Sequence, residues 1–131
     1  MEMTKRKLPR PTDAEMEILN VLFRRGASTV REVYEEINKW KQTGYTTVLK
    51  TMQIMADKGL LTRDESARAH LYEASLSQEE TQMQLIGDLL QRAFEGSASK
   101  LVMRALASKK TSREELDEMK AMLKELEGDK R

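Results

Sequence analysis

The chain has 131 residues, one domain's worth or a small domain with an appendage. Hydrophobic residues make up 39% and charged ones 34%, with 2 Pro and 6 Gly and a net charge of +1, which suits short amphipathic helices and excludes collagen-like and repetitive all-β architectures. The absence of Cys excludes a disulfide framework and any thiolate nucleophile or thiolate metal site, and no apolar run approaches the ~20 residues needed to cross a bilayer, so a cytoplasmic protein is expected.

The amino-terminal stretch, Met1 to Pro11, is basic but no apolar run follows it, so it does not read as a secretory signal. Residues 1–9 are expected to form a disordered basic arm, residues 10–76 a first domain, and residues 77–131 a helical region. Helix starts are marked by Thr12 with Glu15, Thr29 with Glu32, Ser77 with Glu80 and Ser112 with Glu115, each a candidate capping box. Helix ends are expected at Gly26, Gly59, Gly96 and Gly128, where a left-handed residue is wanted.

Between these marks the apolar spacing is helical. Residues 12–25 set Met16, Leu19 and Phe23 on one stripe beside Ile18 and Leu22, and residues 29–40 set Val30, Val33, Tyr34 and Ile37 on another. Trp40, three after Ile37, reads as a core or capping ring rather than a stacking platform. Residues 45–58 align Tyr45, Val48, Met52, Met55 and Ala56. After Gly59 the texture changes: Leu60 to Asp64 and Ala69 to Glu73 flank a polar stretch, Glu65 to Arg68, which predicts a short hairpin. Helix, helix, helix, hairpin is the order of a winged helix-turn-helix, whose third helix enters a major groove.

Residues 77–128 hold three more helical segments. Met83, Ile86, Leu89, Leu90, Ala93 and Phe94 form a wide stripe, Leu101, Val102, Ala105 and Leu106 a short one, and Leu116, Met119, Leu123 and Leu126 a seam at coiled-coil spacing. These helices have few partners within one chain. A symmetric dimer through Ile86, Leu90, Phe94, Leu101, Val102, Leu116, Met119 and Leu123 is the simplest cover, the alternative being that they fold back on the first domain.

Charge is polarised along the chain. Residues 5–10 carry Lys5, Arg6, Lys7 and Arg10 with no acid, and residues 37–63 carry Lys39, Lys41, Lys50, Lys58 and Arg63 against Asp57 alone. Residues 111–129 reverse the balance, with seven acids against Arg113, Lys120 and Lys124. On the third helix Thr46, Lys50 and Gln53 fall at i, i+4, i+7, with Thr47 and Thr51 on an adjoining row, opposite Val48, Met52 and Met55. Three threonines lower helix propensity, whereas hydroxyl, amine and amide groups suit phosphate oxygens and base edges. The same cluster also reads as amino-terminal capping, and both readings stand at this point. Arg63 and Arg68 beside the hairpin tip either straddle a sugar-phosphate backbone or merely solubilise a loop.

The assembled blocks resemble the penicillinase-repressor family of bacterial winged-helix regulators, the BlaI/MecI type. The resemblance spans residues 10–127 and rests on Pro11 to Leu19, Val30 to Val33, Gly44 to Met52, Lys58 to Arg63, Leu71 to Ala74 and the region of Gly96 and Leu101-Val102. It implies a homodimer whose winged helices bind double-stranded DNA at a palindromic operator and repress transcription, with the carboxy-terminal helices as the dimer interface. It also implies groove contacts by Thr46, Thr47, Lys50 and Thr51 and backbone contacts by Arg63 and Arg68. Members that respond to beta-lactams are inactivated by a protease that cuts an Asn-Phe bond. The matching position here is Arg104–Ala105, which departs from that pattern. Copper-responsive relatives carry a Cys-rich site that this chain lacks.

Catalysis finds no constellation. His70 is the single histidine and reads as a packed or solvated strand residue, and Glu35-Glu36 and Glu79-Glu80 point apart on helices. No phosphate-loop, dinucleotide or nucleophile-elbow motif is present, and neither a cofactor nor a metal is expected. The expectation is a dimeric repressor, the alternatives being a winged-helix protein-docking module or a regulator with a small ligand in its carboxy-terminal helical layer.

Overall fold

The computed structural model describes residues 8–129, so Lys5, Arg6 and Lys7 of the basic arm lie outside the described residues. Thr12 opens α1 (Asp13–Arg25): its Oγ1 accepts from the Glu15 N–H at 3.2 Å while the Glu15 carboxylate accepts from the Thr12 N–H at 2.9 Å. Thr29 and Glu32 repeat the device at the start of α2 (Val30–Asn38). The helix α3 (Tyr45–Lys58) follows, starting at Gly44 with no side-chain cap. It ends at Gly59, where φ is 88° and ψ 3°; the Leu60 N–H reaches back to the Met55 carbonyl and the Gly59 N–H to that of Ala56. A Cβ at Gly59 would also meet Leu8 Cδ2 at 3.3 Å.

The hairpin consists of β1 (Leu61–Asp64) and β2 (Leu71–Ala74), antiparallel, with Leu61 opposite Ala74 and Arg63 opposite Tyr72. Its connection is longer than the sequence suggests. Ala69 and His70 belong to the loop, and His70 is exposed one residue before β2. Ser28 adds a bridge that no sequence signal announces, exchanging two backbone hydrogen bonds with Tyr72 at 2.8 and 2.9 Å. The chain continues through α4 (Gln78–Ala93), α5 (Ala98–Ser108) and α6 (Arg113–Asp129). The Ser77–Glu80 and Ser112–Glu115 boxes both form.

Two compact units result, one ending at Ile86 and the other beginning at Gly87, with α4 crossing the division. The first unit has the order of a winged helix. Its core joins Ile18, Leu19, Val21 and Leu22 of α1 to Val33 and Ile37 of α2, Val48, Met52 and Met55 of α3, and Leu61 and Tyr72 of the hairpin. This unit extends beyond the expected boundary at residue 76 because Thr81 is buried and the Gln84 side-chain amide donates to the Leu8 carbonyl. Leu8, assigned to the arm by sequence, packs against the core.

Three further expectations are corrected. Trp40 is 56% exposed, because α2 stops at Asn38 and its inward phase does not extend to the ring. Tyr45, aligned with the apolar stripe of α3, lies at the surface. Gly128 does not end the last helix, which runs on to Asp129. In the second unit neither α5 nor α6 has a buried residue.

Candidate nucleic-acid interface

The core face of α3 is fixed by Val48, Met52 and Met55, all nearly or wholly buried, and this sets what the opposite face presents. Thr46, Thr47, Lys50 and Gln53 are all exposed. The capping alternative for the threonines is not what the chain adopts, since Gly44 is the cap and no side chain bonds the free N–H groups. Thr51 differs from its neighbours: half-buried, its hydroxyl donates to the Thr47 carbonyl at 2.8 Å, so its proton is committed to the helix. Lys50 has no carboxylate partner among the described residues. The face therefore offers two hydroxyls, one ammonium and one amide, the groups that hydrogen-bond phosphates and base edges.

The two hairpin arginines are not equivalent. Arg63 Nε lies 2.6 Å from a Glu65 carboxylate oxygen, and Tyr72 stands opposite it on β2. The Tyr72 side chain, then the Glu65 charge, favours the charged guanidinium and holds the Arg63 pKa above its already high ordinary value. Arg68, at the exposed tip, has no carboxylate partner among the described residues. Arg10 is exposed shortly before α1.

Between α3, the start of α2 and the hairpin lies a cleft of about 380 Å³, bringing together Gln53, Arg63, Arg68 and His70. It also contains Arg31 and Tyr45, which sequence reasoning did not assign to the interface. The Arg31 guanidinium carbon is 4.9 Å from the Tyr45 ring centre and 5.8 Å from that of Tyr34, and the two rings meet edge to face at 5.7 Å. One signal was available: Arg31 is a cation in the first turn of a helix, where the macrodipole favours an anion.

A family model described as penicillinase repressor matches residues 11–125. The chain belongs to the penicillinase repressor family. That family consists of transcriptional regulators, not enzymes. The chain is similar to the penicillinase repressor of Bacillus licheniformis, at 23% identity over 92% of this chain and 94% of that protein. It is similar to the penicillinase repressor of Staphylococcus aureus, at 19% identity over 86% and 90%. With the transcriptional regulator BlaI of Mycobacterium tuberculosis the identity is 31% over 92% of this chain and 88% of that protein. No helix among the described residues is long and apolar enough to cross a membrane, and none of their carboxylate and imidazole groups cluster as a metal site.

Proposed function

We propose that this chain is a DNA-binding transcriptional repressor that acts as a homodimer on an inverted-repeat operator. The observation that carries the reading is the exposed Thr46, Thr47, Lys50 and Gln53 face of α3, on a helix whose other side is locked into the core. In this reading α3 of each copy enters a major groove. Twofold symmetry then requires half-sites separated by about one helical turn or a multiple of it. Lys50, Arg68 and Arg10 neutralise phosphates, so affinity falls steeply with salt.

The homodimer is supported by the second unit. Val102, Met119 and Leu123 of the expected interface are exposed there, Leu90, Phe94, Leu101 and Leu116 are half-buried, and Met122 and Leu126 are further exposed apolar side chains of α6; Ile86, the last residue of the first unit, is exposed as well. Surface of that extent is uncommon on a monomer and fits a second copy. As for inactivation by a protease, the Arg104–Ala105 bond lies inside α5. Cutting there requires α5 to unwind, because its helical hydrogen bonds hold the peptide out of an extended form.

A gel shift with a duplex from the region upstream of the chain's own gene, beside a scrambled duplex at two salt concentrations, tests the reading. Preferential binding to the first duplex, weakened by salt, is expected. Equal and negligible binding to both would overturn it.

A further inference from the structure

We propose that Arg31 is a phosphate-contacting residue that seats one backbone phosphodiester of duplex DNA in the cleft between α3 and the hairpin. The inference rests on the DNA-binding reading above and extends it to α2, an element that reading leaves out.

Three observations converge on Arg31. The first is its position. As the second residue of α2 it places a full positive charge in the first helical turn, where the peptide dipoles are already positive. Its sequence neighbour Glu32 offers no relief, since that carboxylate caps Thr29 and pairs with Arg25 at 3.4 Å. Arg31 has no carboxylate partner among the described residues. A cation kept in an unfavourable field without a counter-charge is suited to an anion arriving from outside.

The second is its geometry. Stacking over Tyr45 restricts the long side chain before any ligand arrives, which lowers the entropy lost on binding. A guanidinium over a ring keeps its in-plane N–H groups available, and these match two phosphate oxygens in a fork. The stack also ties Arg31 to the first residue of α3, so the phosphate seat and the base-reading face share one register.

The third is the company it keeps. Arg63, Arg68 and His70 line the same cleft, and neither Asp nor Glu lines it. Gln53 joins the cleft to the exposed face of α3. With α3 in a major groove, the DNA strand on the hairpin side runs along this cleft, which brings its phosphates to Arg31.

The test uses the full chain with the upstream duplex and a scrambled duplex, titrated across salt concentrations, comparing wild type with Arg31→Gln and Arg31→Lys. Each phosphate neutralised contributes about 0.9 to the slope of log affinity against log salt. Arg31→Gln is expected to lower that slope by about 0.9 and to weaken both duplexes by the same factor, whereas Arg31→Lys retains the slope. An unchanged slope in Arg31→Gln overturns the proposal, even if affinity for the upstream duplex falls, because Arg31 would then act only by orienting α3. Arg31 is exposed, so the variant is expected to fold, and its thermal midpoint is measured alongside. A wild-type chain that binds neither duplex removes the underlying reading, an outcome distinct from an unchanged slope in a chain that binds.

Discussion

The Lys58 ammonium lies 2.7 Å from a Glu15 carboxylate oxygen, which joins the last residue of α3 to the first turn of α1. Glu15 is almost wholly buried and its second role is to cap Thr12. Burial is the largest single influence on its pKa and acts to raise it. The Lys58 hydrogen bond, the Thr12 N–H and the Lys58 charge together outweigh burial, so the pKa lies below the ordinary glutamate value of 4.5. A depressed carboxylate pKa stabilises the fold above the unfolded-state value, and that contribution is lost as pH falls through the folded one. Thermal stability is therefore expected to drop as pH falls below about 4.5. Glu15→Gln should flatten that part of the profile, and an unaltered profile would sever the link. Lys58→Met, which leaves a buried carboxylate without its cation, should cost ~1–3 kcal/mol of stability at neutral pH in denaturant melts.

The exposed row of α3 separates base contacts from phosphate contacts by their pattern of loss. If Thr47 or Lys50 touches a base edge, its replacement by Ala weakens binding to the cognate duplex by ~1–3 kcal/mol and leaves the scrambled duplex nearly unaffected. An equal loss on both duplexes assigns the residue to phosphate. No loss on either removes it from the interface. Thr51→Val is expected to be milder on DNA than Thr47→Ala, because the Thr51 hydroxyl proton is already held by the Thr47 carbonyl.

What could be read from sequence is what depends on neighbours a few residues apart. All four capping boxes form because each needs only a hydroxyl and a carboxylate three positions apart. Val48, Met52 and Met55 are buried as their spacing predicts. Three of the unanticipated features depend on chain segments meeting in space. Periodicity points Tyr45 inward, yet it lies at the surface, where it meets Arg31 and Tyr34 from α2. The Ser28 bridge needs the loop before α2 to meet β2. The first unit reaches into α4 because Gln84 finds a carbonyl 76 positions away in sequence. A partner subunit is still less legible, since apolar spacing on α5 and α6 marks a face to be covered and does not name the cover.

Arg63 is held by Glu65 in the free chain, which leads to a gain-of-binding prediction. A phosphate must compete with a carboxylate 2.6 Å from the guanidinium. Glu65→Gln removes the competitor and one repelling charge from the hairpin tip. Affinity for both duplexes is expected to rise at low salt, and the salt slope to steepen by up to about 0.9 if Arg63 then takes a phosphate. Unchanged affinity and slope would place Arg63 outside the DNA contact and leave Arg68 as the hairpin's cation.

Dimerisation through the second unit sets the last expectation. Leu123 is 61% exposed and Val102 50% exposed, on helices with no fully buried residue. Burying such side chains against a second copy gains about 25 cal/mol per Å² of apolar surface, and a charge placed there forfeits it and adds a desolvation penalty. Leu123→Glu should therefore shift sedimentation toward the monomer. It should also weaken operator binding far more than the charge change alone explains, because a monomer loses the simultaneous engagement of two half-sites. The winged-helix unit has its own core in α1, α2, α3 and the hairpin, so the variant's residual binding to a single half-site should match that of the parent. A Leu123→Glu chain that sediments as the parent does would place the dimer contact elsewhere, and a parent that is already monomeric would leave the apolar face of α6 to a different partner.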